Sequence, residues 1–209
     1  MRGPFRLSTL LVVALCLGAP AATSAQLPVK KHTESHIILR MQQGSGSVTY
    51  EAPAELVAAV SRTPTGVTLP LGSYRGRPVR LSVDRLLRQV GETTLSERNE
   101  THLLTRPTDS GMVFIFAKAA SAPAARGGDP TFLVVDLAPK DKTQTPTRLK
   151  VPLLGASFMV PKILGALNVV PDTDVSPLVE SFLDGASALG AGPVLTVTSS
   201  DAVIRVWTE

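Results

Sequence analysis

Cysteine is all but missing from this chain of 209 residues, where Cys16 stands alone. No disulfide can form within the chain, and any stable fold must rest on an apolar core. Histidine occurs three times, tryptophan once, and all aromatics together make up 4% of the sequence. With Tyr74 the only aromatic beside the main group of arginines, there is no platform on which nucleic-acid bases would stack. A serine hydrolase needs an imidazole base, and His102 is the only histidine beyond the N-terminal forty residues. There is no Gly-x-Ser-x-Gly elbow, no phosphate-binding loop and no Ser-x-x-Lys pair, and Gly190-Ala191-Gly192 is a lone glycine break before a strand.

The N-terminus has the anatomy of an export signal. Arg2 and Arg6 form a basic front, residues 10–18 an apolar centre, and Thr23-Ser24-Ala25 a small-residue exit, so cleavage is expected before Gln26. The apolar centre is too short to span a bilayer as an uncleaved anchor. Cleavage removes Cys16 and takes the formal charge from +4 to +2, which leaves no electrostatic argument for nucleic acid. Arginine at 14 against lysine at 7, with abundant alanine and proline, points to a GC-rich bacterial source. The expected location is therefore outside the cytoplasm, periplasmic or secreted.

Past residue 25 the pattern suggests repetition. LLTRPTDSGMVFIF at 103–116 and VLTVTSSDAVIRVW at 194–207 align at an offset of 91, each with a polar turn between β-branched and aromatic runs. Val83, Leu86, Leu87 and Val90 recur as Val175, Leu178, Val179 and Phe182 at an offset of 92. Both sets have helical spacing, and Ser82 or Asp84 is placed to cap the first. The expected fold class is α+β: two tandem ββααββ units, each an antiparallel sheet with helices packed on one face, produced by internal duplication. The boundaries are a mobile polar arm at 26–35, a first unit at 36–118, an Ala/Pro/Gly linker at 119–130 and a second unit at 131–209. Residues 151–170 reach membrane-spanning length with only Lys162 charged, but Pro152, Gly155 and Pro161 interrupt them, so a soluble strand, turn and helix are expected.

Candidate chemistry is sparse. His32, Glu34 and His36 alternate at i, i+2 and i+4 and would share one face of an extended segment. Zinc or copper takes such ligands, although a polar arm entering a strand accounts for the same residues. Asp109-Ser110-Gly111 matches the short signature of aspartic proteases, but the matching place in the second half reads Ser200-Asp201-Ala202, and a hairpin turn favours these residue types. Glu180 and Asp184, one helical turn apart, have acid/base spacing and equally suit a solvated helix face. The best binding candidates are Arg75, Arg77, Arg80, Arg85 and Arg88, since guanidinium groups match phosphate and carboxylate. Asp172, Asp174, Glu180 and Asp184 stand at the corresponding place in the second half, a charge contrast that would suit contact between halves or between molecules.

Three stretches carry a resemblance to a known family: RLKVPLL at 148–154, VSPLVE at 175–180 and AVIRVW at 202–207. They resemble the short domain that follows the helical segment in bacterial SHOCT-like envelope-stress proteins. The similarity covers about sixty residues of the second half and, more faintly, the first, while the SHOCT-like helical segment itself is absent. The resemblance implies no catalytic residues.

The sequence therefore leads to a non-enzymatic exported envelope protein that binds an anionic ligand, such as a lipid or glycan, or a protein partner. No cofactor, no nucleic acid and no transmembrane span in the mature chain are expected. The alternatives are a hydrolase working with scattered carboxylates and a structural module that self-associates.

Overall fold

Strand β1 (Lys30–Gln43) is the element on which the others assemble, because it pairs along its full length with one neighbour and over its C-terminal half with another. The computed structural model describes residues 30–141, 143–158 and 174–209. The expected leader at 1–25 with Cys16, the helix expected at 159–167 and Asp172 lie outside the described residues.

Three hairpins and their helices follow β1 in the first half. Strand β2 (Gly46–Pro53) returns along β1 through a turn at Gly44, which has a positive φ of 57°. Helix α1 (Ala54–Ser61) begins at Pro53, whose fixed φ suits a helix entrance. Strands β3 (Thr68–Tyr74) and β4 (Arg77–Ser82) form a small separate hairpin, and helix α2 (Val83–Glu92) starts where the Ser82 side chain accepts from the Arg85 N–H at 3.3 Å. Strands β5 (Thr101–Thr108) and β6 (Gly111–Arg126) complete this half. The second half consists of β7 (Phe132–Pro139), β8 (Thr147–Pro152), a helical run at 153–158, α3 (Ser176–Ala188), β9 (Gly192–Thr198) and β10 (Ala202–Thr208).

The large sheet overturns the expected α+β class with its two ββααββ units. Eight antiparallel strands form one continuous sheet in the order β5-β6-β1-β2-β9-β10-β7-β8, and the protein is mostly β. The halves meet where Thr49, Tyr50 and Glu51 pair with Thr198, Val197 and Thr196. The first half also runs ββαββαββ, because residues expected to form a loop become β3 and β4. Leu69 and Leu71 face Val79 and Leu81 inward, and the connecting Arg75-Gly76 takes positive φ at both positions, 51° and 74°. That is the geometry of a tight hairpin turn matched to strand twist. Pro70 and Pro78 are tolerated because a two-stranded sheet has only edge strands.

Two further boundaries differ from expectation. The residues read as a mobile arm are strand from Lys30 onward, and most of those read as a linker are strand through Arg126. Together they form the outer half of a long β1–β6 ribbon, with Glu34 opposite Ala122 and Thr33 opposite Pro123. Alanine-rich β6 carries no bulk on this stretch, which lets the ribbon lie close to residues 190–192, where Gly127 N–H donates to Ala191 O at 2.7 Å.

Side chains alternate across a strand, so the two faces of the sheet have separate surroundings. Ile37, Leu39 and Met41 of β1, Tyr50 and Ala52 of β2, and Val135 and Val206 of the second half face the helices. One buried cluster under α2 and the β3–β4 hairpin includes Met41, Leu81, Leu86 and Ile115. Another under α1 and α3 includes Leu56, Val135, Leu183 and Ile204. Helix α1 packs between α2 and α3, so the arginine-bearing and acidic helices flank a common neighbour. Gly185 makes the α1–α3 approach close: a Cβ there would lie 2.8 Å from Leu56 Cδ1. Among the described residues no helix is long and apolar enough to cross a membrane.

Candidate functional site

Between the helix layer and the inner face of the sheet lies a cavity of about 250 Å³. Its floor is built by alternate residues of β1, β2, β6, β7, β9 and β10, and its walls by Leu56 and Val57 of α1, Leu86 and Leu87 of α2, and Leu178, Phe182 and Leu183 of α3. Of its 22 described lining residues, 21 have wholly apolar side chains, and the exception is Tyr50. The cavity exists because the two clusters are centred on different halves of the sheet and their helices meet over the seam without filling it.

Tyr50 sits at that seam, and its ring packs against both clusters. It belongs to the three-residue stretch of β2 that pairs with β9. Its hydroxyl has no hydrogen-bond partner among the described residues. Burial disfavours the phenolate and pushes the group up to about 12, so the hydroxyl is a neutral donor at physiological pH.

The five arginines predicted as an anion site lie elsewhere. Arg75 and Arg77 flank the tip of the β3–β4 hairpin, Arg80 is on the outer side of β4, and Arg85 and Arg88 are on the outer face of α2. All five are exposed, and none forms an ion pair within 4.0 Å among the described residues. Arg75 lies over the Tyr74 ring at 5.2 Å. The structure places them on one supersecondary unit, α2 with its preceding hairpin, and none lines the cavity.

The trio weighed as a metal candidate is also resolved into something else. The side chain of His32 is outside what is described. Glu34 and His36 point away from the cavity and are buried at 8% exposure each, where Arg126 Nη2 donates to both Glu34 oxygens at 2.8 and 3.0 Å. His36 Nε2 is 3.3 Å from Glu34 and Nδ1 is 3.2 Å from Glu51. An arginine cation at the centre of the group makes it an internal ion-pair network, and no cluster of three metal-ligating side chains occurs among the described residues. Gly192 accommodates Arg126, since a Cβ there would lie 2.9 Å from Ala125 O and 3.0 Å from the arginine side chain.

The remaining motif candidates are structural. Asp109 ties two turns together: its carboxylate accepts from the Ser73 hydroxyl at 2.6 Å and the Arg75 N–H at 2.8 Å. Those two hydrogen bonds hold its carboxyl below the usual range. Ser199, at the other hairpin, accepts from the Ala202 N–H at 3.1 Å and closes its own turn. Asp84 does not cap α2; it holds the approach to β3 by accepting from Thr65 N–H, Thr65 Oγ1 and Gly66 N–H at 2.6 to 3.1 Å. Glu180 and Asp184 are exposed on α3. His102 is exposed on β5, bonded to Thr105 Oγ1 at 2.7 Å and edge-on to Phe116.

No family model matches the chain, and neither a characterised protein nor a solved structure matches it. The cavity, which sequence reasoning missed, is thus the most ligand-like feature of the fold in its own right. Its one local signal was the alternation Val48, Tyr50, Ala52, which places a single hydroxyl among apolar neighbours on the inward face.

Proposed function

We propose that this protein is a non-enzymatic, exported binding protein of the cell envelope whose cavity takes up an apolar molecule. The observation that carries the reading is the partly open volume of about 250 Å³ walled, among the described residues, by 21 apolar side chains and one tyrosine. Small-molecule sites are characteristically concave and mostly apolar, with very few polar groups. An apolar void of about 150 Å³ stays dry and admits benzene, so this one accommodates a larger ring or part of an acyl chain. The absence of charge from the described lining residues favours binding over hydrolysis, since carboxylate-based chemistry needs two acids facing one cleft.

The exposed arginines fit the same setting on the outside of the molecule. Five exposed guanidinium groups on α2 and its hairpin, none in an ion pair within 4.0 Å among the described residues, would draw the protein toward anionic lipid headgroups or glycans of the envelope.

Titration with N-phenylnaphthylamine, which fluoresces in apolar enclosures, tests the reading. Saturable one-to-one binding that is lost when the cavity is filled supports it. A signal that is non-saturable, or unchanged by filling the cavity, refutes it.

A further inference from the structure

The placement of one hydroxyl group narrows the ligand class, and this inference rests on the cavity being a binding site. We propose that the cavity selects an uncharged, chiefly hydrocarbon molecule carrying a single hydrogen-bond acceptor, such as an ester, ketone or aldehyde, with the Tyr50 hydroxyl as the anchoring donor.

Three observations converge on this. First, among the described lining residues Tyr50 brings the only polar side-chain group, so they offer a ligand one hydrogen bond. Second, that hydroxyl is not used by the fold, since it has no partner among the described residues, whereas Thr108, Thr208 and Gln43 each hydrogen-bond within the protein. The phenol is half-buried among apolar side chains that offer it no acceptor, and a ligand acceptor would supply one. Third, no cation is among the described lining residues, so the carboxylate of a free fatty acid would find no counter-charge from them. The position adds geometry: Tyr50 belongs to the three pairs that join the halves of the sheet, so its ring is fixed by both apolar clusters and its donor is held in place before a ligand arrives. Burial keeps the hydroxyl protonated far above neutral pH, so the donor is present throughout the physiological range.

The test is displacement of N-phenylnaphthylamine from the full mature chain at pH 7 by methyl decanoate, decane and decanoate, for the wild type and Tyr50→Phe. The wild type is expected to prefer the ester over decane by about fivefold to tenfold, the worth of one hydrogen bond in an enclosed site, with decanoate weakest. Tyr50→Phe should bind decane as the wild type does and lose the ester preference. Decanoate binding tightest, or an ester preference that survives Tyr50→Phe, overturns the inference. The wild-type ratio alone decides the matter should the variant fold poorly, because equal binding of ester and decane also overturns it. A wild type that binds no probe at all removes the cavity reading and this inference together, whereas probe binding without ester preference removes only the latter.

Discussion

Arg126 and Glu34 are 92 positions apart in sequence, yet a single guanidinium nitrogen of the arginine donates to both carboxylate oxygens, and both side chains are more than nine-tenths buried. The pair fastens the outer half of the β1–β6 ribbon and draws in His36 and Glu51 behind it. Breaking a buried ion pair from one side strands a charge, so Arg126→Met is expected to cost about 3–5 kcal/mol in denaturant unfolding. Replacing both partners, Glu34→Leu with Arg126→Met, should recover most of that loss, because the desolvation cost of both charges disappears with them. Equal destabilisation in the single and double variants would show that the pair does not act as a unit.

Asp84 offers a pH-dependent case. Burial works to raise its carboxyl, but hydrogen bonds from Thr65 and Gly66, with the Arg88 charge nearby, outweigh it and hold the group below the usual carboxylate range. A group depressed in the folded state stabilises above its unfolded value, about 4, and that contribution disappears as pH falls through the lower folded value. Asp84→Ala should therefore lower stability by about 1–2 kcal/mol at pH 7, with the gap to wild type closing as acid protonates the carboxylate. Urea unfolding at pH 7 and in acid measures this, and a gap that widens in acid contradicts the assignment.

Val57, on the cavity side of α1 and half-buried, is a place to fill the space. Val57→Phe is expected to reduce N-phenylnaphthylamine affinity by at least about tenfold while changing unfolding stability by less than about 1.5 kcal/mol, since the added ring enters existing volume. Unaltered probe affinity in a folded variant would place the probe elsewhere.

Arg77, Arg80 and Arg85 are exposed and without acidic partners. The triple change Arg77→Glu, Arg80→Glu, Arg85→Glu should leave stability within about 1 kcal/mol of wild type and abolish co-sedimentation with phosphatidylglycerol vesicles. Wild-type sedimentation should itself weaken between about 50 and 500 mM salt, as screening shortens the reach of exposed charges. Binding that is insensitive to both changes would assign the arginines to solvation alone.

Local signals in the sequence were read more reliably than global ones. The hairpins around 103–116 and 194–207 and the Ser82 cap were legible because each depends on a few adjacent residues. The β3–β4 hairpin was not, because Pro70, Gly72 and Pro78 look like breakers until a two-stranded edge makes them acceptable. The ribbon was missed for another reason: Lys30 to Ser35 looks like a solvated arm until Arg126, far along the chain, neutralises Glu34. The matching apolar stripes of α2 and α3 suggested two independent sheets, whereas register between Thr49–Glu51 and Thr196–Thr198 joins everything into one. The cavity could not be read from any pattern, being the space that two clusters leave between them. Of the candidate site, only the inward alternation at Tyr50 was written in the sequence.

Strand order sets a timetable for folding. Strands β9 and β10 are made after β7 and β8, yet they lie between β2 and β7 in the finished sheet. The four first-half strands can zip together early, but β7 and β8 have no route to them until the final hairpin arrives, some 145 positions after its partner on β2. Closure over such a span is entropically slow, and until it happens two raw strand edges are exposed to other chains. A helper that holds the emerging polypeptide apart from its neighbours would therefore matter most until β9 and β10 have been made.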